Sequence, residues 1–241
     1  MRHSTRGVTL LELLIVVTLL SLLSVAMFTA MRIGLSAFTK ADDKLMANRK
    51  AAGAQRILRS QIEGVVPVFA LCAAGDPGSN STARTPFFGG TPAALHLVST
   101  FSLQEGWRGH PQILEIFVIP GEDRGVRLVV NETPYTGSLS AGRFCRIAPQ
   151  DGLPQFLPAQ ARAQSFVLAD KLAYCRLAYL AEAAGPTMPE TWQPVWNKLI
   201  LPLAVRIEMA PLDPDPSEVQ PISVTAPVYL RRDPTVPYGD F

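Results

Sequence analysis

The chain has 241 residues, with 22 Lys and Arg against 20 Asp and Glu; 48% of it is hydrophobic and only 17% charged. That length suits one ordinary domain with an appendage, or two small domains. The formal charge of +2 vanishes if Met1 to Gly7 is removed, because Arg2 and Arg6 leave with it, so no basic field remains to hold a nucleic acid.

The apolar excess is concentrated in the first thirty residues, which predicts a membrane segment joined to a soluble body. Every one of the 21 prolines lies at or beyond Pro67, so the chain divides there. From Val8 to Val66 nothing forbids one continuous helix, which would span about 88 Å. Its first part, residues 8–31, carries Glu12 as its single charge. About 36 Å of helix is enough to cross a hydrocarbon core about 30 Å thick, so this part is predicted to span a membrane. Residues 32–66 continue it as an amphipathic helix. Leu35, Phe38, Leu45, Ile57, Leu58, Ile62 and Val65 fall near helical spacing, with Arg49, Lys50, Arg56 and Arg59 on other faces. The apolar stripe is expected to pack on the body, and Gly64 with Pro67 supplies the stop.

Residues 67–241 read as a β-rich body. Ala73 to Pro86 is rich in turn formers and predicts a long loop. Strands are predicted at Ala94–Phe101, Ile113–Ile119, Val126–Val130, Tyr174–Leu180, Leu203–Met209 and Ile222–Leu230, each bounded by Gly or Pro. The one helical candidate among them is Ala159–Ala173. Strands without intervening helices imply antiparallel sheet, hence an α+β fold: a long N-terminal helix packed on an antiparallel β-sheet domain. The tail, Arg231 to Phe241, reads as irregular.

Cys72, Cys145 and Cys175 are too scattered for a zinc site. In an oxidising compartment, the loop-like surroundings of Cys72 and Cys145 offer one bridge, with Cys175 left in an apolar run; the alternative is three buried thiols.

The informative motif is Arg6-Gly7-Val8-Thr9-Leu10-Leu11-Glu12-Leu13-Leu14. A carboxylate in a spanning helix costs on the order of 2.5–3.5 kcal/mol at mid-membrane even on the lenient insertion scale, so Glu12 requires a reason. Cutting after Gly7 would create an α-amino group on Val8, one turn from Glu12. A neighbouring subunit's amine could then meet that carboxylate in an apolar bundle and set register. The helix dipole also favours an acid at this end. An ordinary secretory signal has a shorter apolar region without an acid at its start. A plain signal anchor conflicts with the charge count, since Arg2 and Arg6 are outnumbered by Arg32, Lys40, Lys44, Arg49 and Lys50 beyond the span.

From Arg6 to about Met31 this arrangement resembles the N-terminal signal of type IV prepilins and pseudopilins. The resemblance implies that prepilin peptidase cuts after Gly7 and methylates the new amine on Val8, and that Glu12 serves assembly; Val8 departs from the family's usual Phe. Further on, Phe87 to Ser99 (FFGGTPAALHLVS), Val167 to Leu180, the pair Trp192 and Trp196, and Leu201 to Ile207 resemble, in that order, segments of the J-type minor pseudopilin of type II secretion systems. That resemblance implies a structural subunit in the bacterial inner membrane with its body in the periplasm, near the tip of a short pseudopilus. Its partners would be the I-type and K-type minor pseudopilins and the major pseudopilin. Glu12 counts against the K-type itself, which usually lacks it. A minor pilin of a type IV pilus would have the same N-terminus.

No enzymatic pattern competes. G-x-S-x-G, GxGxxG, P-loop and HExxH motifs are absent from the sequence, and only His96 and His110 survive removal of the leader. His96 alternates with Leu95 and Leu97 and is predicted to face solvent; His110 is predicted in a loop. Asp213, Asp215 and Glu218 could offer oxygens to calcium but lack the Gly and ligand ladder of a calcium loop, so a solvated loop is expected. No metal or cofactor is predicted. Trp107, Trp192 and Trp196 read as core or interface anchors.

Overall fold

The structure is a computed structural model, and it describes residues 9–74, 81–104, 108–122, 124–150, 152–183, 185, 189–212 and 222–230. Two compact units divide it, Met1–Arg49 and Lys50–Phe241. Trp107, the acidic cluster Asp213, Asp215 and Glu218, and the tail 231–241 lie outside the described residues.

A single helix, α1 (Leu10–Glu63, 54 residues), begins in the first unit and ends in the second. It contains no proline and is mostly Ala, Leu, Met and the long polar chains Lys, Arg, Glu and Gln, which give up little rotamer freedom in a helix. In the first unit its described side chains are exposed. In the second unit it buries Ala54, Leu58, Gln61 and Ile62, spaced three and four apart on one face. Glycine ends it: the Gly64 N–H donates to the Ser60 carbonyl at 3.0 Å. Of the predicted stripe, Leu58 and Ile62 are buried within the second unit, and Leu35, Phe38 and Leu45 in the first are exposed.

The rest of the second unit is strand-rich. In chain order come β1 (Phe69–Ala73), β2 (Thr82–Pro86), β3 (Gly89–Thr91), β4 (Ala94–Phe101), β5 (Arg108–Pro120) and β6 (Val126–Pro134). After a short helix α2 (Ser138–Gly142) follow β7 (Cys145–Ile147), β8 (Pro154–Phe156), β9 (Phe166–Ala181), β10 (Thr191–Gln193), β11 (Ala204–Pro211) and β12 (Ile222–Pro227). One sheet runs β12-β11-β9-β6-β5-β4-β3 with β10 also on β9, and all its pairings are antiparallel. A smaller sheet runs β2-β1-β7-β8 and includes one parallel contact, Ala73 beside Arg146.

Three layers result. Leu58, Ile62 and Val65 of the α1 end pack on one face of the large sheet, against Leu95, Leu97, Leu114 and Leu128. On the opposite face Val98 and Ile113 pack with Ala70, Cys72 and Cys145 of the small sheet. β4 and β5 are therefore covered on both sides, and in β4 every residue from Leu95 to Ser99 is buried.

Four expectations are corrected. His96 is buried, because its face of β4 lies under the small sheet rather than solvent. Ala159–Ala173 is not helical: β9 begins at Phe166 and is held from both sides by β6 and β11, whose pairing overrides an alanine-rich, helix-compatible sequence. The segment 73–86 is not all loop, since Thr82–Pro86 pairs antiparallel with β1. His110, too, lies in β5 rather than a loop.

Candidate functional site

At the start of the chain, Gly7 and Val8 precede the described residues. Thr9 caps α1: its Oγ1 accepts the Glu12 N–H at 3.3 Å and its carbonyl accepts the Leu13 N–H at 3.2 Å. Thr9 and Glu12 stand three apart, the spacing of a capping box, so the residue that isolates a charge in the helix also sits where helix initiation favours one. Glu12 is exposed in the first turn, and among the described residues its carboxylate has no partner.

The stretch Leu10–Asp42 is long and apolar enough to cross a membrane, and none of it is buried within the chain. Its hydroxyls are satisfied internally. Thr18 donates to the Ile15 carbonyl, Ser21 to Val17, Ser24 to Leu20 and Thr29 to Val25 and Ala26, at 2.8–3.0 Å. A hydroxyl returned to the preceding turn removes the cost of an unpaired donor in hydrocarbon. Glu12 is then the one charged group from Leu10 to Met31.

The description "Prokaryotic N-terminal methylation motif" matches residues 2–28. This motif indicates a type IV pilin-like protein. It fits processing by prepilin peptidase, anchoring of a C-terminal domain by one apolar helix, and assembly with other pilin-like subunits, and it points to a structural protein. Comparison with curated proteins gave no match.

In the body, His96 belongs to a buried polar network that motif reading had not connected. Its Nε2 lies 3.8 Å from Glu115 Oε1, and its ring stacks on Phe156 at 4.7 Å between centroids. Glu115 Oε2 accepts from Asn131 Nδ2 at 2.9 Å and from the Arg162 guanidinium at 3.1 Å. Asn131 also donates to the Gln160 carbonyl and accepts from Ser165. Burial pushes the His96 imidazole down to about 4, against a hydrogen bond to the Leu157 backbone that raises it. The neutral ring is thus a packed, tethering group, and the network pins the segment 157–165 to the outer side of β5 and β6. The signal in the sequence was the polar set Glu115 and Asn131 inside otherwise apolar strands, whose partners lie 16 to 47 residues away.

Trp196 is buried; its Nε1–H donates to the Ile200 carbonyl, and its backbone exchanges hydrogen bonds with Gly90 at 2.8 and 2.9 Å. Trp192 is half-buried under the Arg206 guanidinium, 3.8 Å from the ring centroid. Cys72 and Cys145 are joined by a disulfide, and Cys175 is a buried free thiol whose ionisation burial pushes up to about 12. Among the described residues no group of three or more His, Cys, Asp or Glu could hold a metal ion.

Proposed function

We propose that this chain is a J-type minor pseudopilin of a type II secretion system, cut after Gly7, methylated on Val8 and assembled near the tip of a periplasmic pseudopilus. The observation that carries the reading is Glu12: one unpartnered carboxylate on an apolar, unburied helix, placed one turn from the new amine that cleavage would create. Among the described residues that carboxylate has no partner, and the unburied part of the helix is the stretch Leu10–Asp42; in a filament the carboxylate and a neighbour's amine neutralise each other, which removes the penalty either group alone would have in an apolar bundle. Residues 8–31 serve as the membrane span, 32–66 as the helix that leads to the body, and 67–241 as the periplasmic domain. The J-type assignment is supported by the order of FFGGTPAALHLVS, the 167–180 segment, Trp192 with Trp196, and the 201–207 segment along the chain. The I-type, K-type and major pseudopilins are the expected partners.

Native purification from host membranes followed by mass spectrometry tests both parts. A mature chain starting at methylated Val8, recovered with secretion pseudopilins, is expected. A chain that retains Met1, or that is cut near Ala30, contradicts the processing; recovery with pilus subunits and loss of twitching on deletion contradicts the secretion assignment.

A further inference from the structure

Among the described residues the strand orders of the two sheets end in four strands, and three of these carry features that discourage further pairing; β10, off that order on β9, is three residues long. β3 is three residues long and its Gly90 is already bridged to Trp196. β8 is equally short and starts with a proline. β2 carries Arg84 and ends on Pro86. Charges, proline and shortness are how natural sheets protect an edge. β12 also ends on a proline, Pro227, but the five residues before it, ISVTA, carry no charge.

Its free edge can be read from the register. Pro227 stands opposite Ala204 and has no N–H, so this is not a pair that exchanges hydrogen bonds; the pairs that do are Val205 with Ala226, Ile207 with Val224 and Met209 with Ile222. The Val228 N–H bond to the Leu203 carbonyl fits that phase. Ser223 and Thr225 consequently turn their N–H and C=O groups away from β11, and among the described residues no backbone group receives them.

Beside this edge, α1 and β12 enclose a groove of about 310 Å³ lined by Ala52, Gln55, Arg56, Arg59, Ser223 and Val224. Arg56 and Arg59 are exposed, and neither meets a carboxylate among the described residues. The helix sequence from Lys44 to Ile62 holds five basic residues and no acidic one. The groove therefore combines outward-facing strand donors and acceptors with two cations a turn apart that meet no carboxylate among the described residues.

We propose that β12 accepts an extended, acidic segment of a neighbouring filament subunit as an added strand, with that segment's carboxylates meeting Arg56 and Arg59. Main-chain hydrogen bonds to Ser223 and Thr225 supply the pairing and the guanidinium groups select the partner. The choice of partner rests on the pilin-like assembly proposed above. The test uses the full chain in host membranes, with a photo-crosslinking benzophenone residue at position 225 and, in a parallel strain, at position 35 on the exposed helix. Adducts to other filament subunits are expected from both. Thr225→Pro removes an outward N–H while leaving the β11 bonds intact, and Arg56→Glu with Arg59→Glu reverses the groove's charge. Each change is expected to abolish an adduct formed from a benzophenone at position 223 while the position-35 adduct persists. Adducts from position 35 with none from 223 or 225, adducts confined to the chain itself, or adducts indifferent to both changes overturn the proposal and leave the filament reading standing. Absence of subunit adducts from every position overturns both.

Discussion

Replacing Cys72 and Cys145 together by alanine isolates what the disulfide does. The small sheet is two antiparallel pairs, β1 with β2 and β7 with β8, joined in the strand ladder by the single pair Ala73 and Arg146. The sulfur bridge between Cys72 and Cys145 is the covalent tie across that seam, and it closes a separation of 73 residues. For a loop of that size the chain-entropy relation gives about 4.4 kcal/mol at 25 °C, at the upper end of the usual 2–4 kcal/mol. Both cysteines are buried among Ala70, Val98 and Ala141, so the alanines also leave small voids that add to the loss. With a shift of about 2–4 °C per kcal/mol for a body of this size, the melting temperature is expected to fall by roughly 9–18 °C. Circular dichroism melts of the detergent-solubilised chain measure this. Hydrogen exchange adds the location, with protection lost first in β1, β2, β7 and β8. A melting temperature within about 2 °C of the parent, or two further reactive thiols in the unfolded but unreduced parent, would refute the reasoning.

Glu12→Leu is expected to insert into the membrane as well as or better than the parent, since it removes a carboxylate that costs up to about 3 kcal/mol at mid-membrane, yet to drop out of the assembled filament; normal incorporation in a membrane-shear fraction would end the pairing argument. Burial holds the His96 pKa at about 4, below its unfolded value of about 6.5, so the unfolded chain binds the extra proton between those values. Stability should therefore be fullest above pH 6.5 and decline toward pH 4, by up to about 3 kcal/mol from this group, and the decline should be shallower in His96→Gln when urea midpoints are compared. Gly90→Ala would place a Cβ 1.8 Å from the Tyr179 hydroxyl, which donates to the carbonyls of Thr91 and Ala94. The overpacking and the displaced hydroxyl are expected to cost about 1–3 kcal/mol or more in the same urea experiment, and a neutral change would contradict the packing.

Strands with apolar runs between Gly and Pro were legible in the sequence: Ala94–Phe101 coincides with β4, and Ile113–Ile119, Val126–Val130 and Tyr174–Leu180 fall inside β5, β6 and β9, whereas Leu203–Met209 starts one residue before β11 and Ile222–Leu230 runs past the end of β12 at Pro227. Propensity also carried the long helix, because its first two thirds contain no proline and one glycine, Gly34. The three-residue strands β3, β7, β8 and β10 were not legible. Two contain Pro or Gly, and none has enough length for alternation to register. His96 illustrates the cost of that blindness: alternation with Leu95 and Leu97 correctly separates two faces of β4, but only the small sheet, assembled from β1, β2, β7 and β8, decides that the second face is also interior. In the N-terminal motif Glu12 was conspicuous as a charge in an apolar run. Thr9 was overlooked there although its spacing from Glu12 is itself a helix-start signal.

The junction where α1 ends has a mechanical consequence. The chain leaves the helix as Gly64-Val65-Val66 and runs beside β4, with the Thr100 N–H donating to the Gly64 carbonyl and the Val66 N–H to the Val98 carbonyl, both at 2.9 Å. Next to it, the Glu132 carboxylate on β6 collects the Leu103 and Gln104 N–H groups, the Ser102 hydroxyl and the Gln61 amide of α1. A push or pull along the helix within the body thus reaches the sheet through several bonds that share the load, on a strand flanked on both sides. The coupling is stiff where a flexible linker would have absorbed the stroke, so displacement of the helix end moves the body with it.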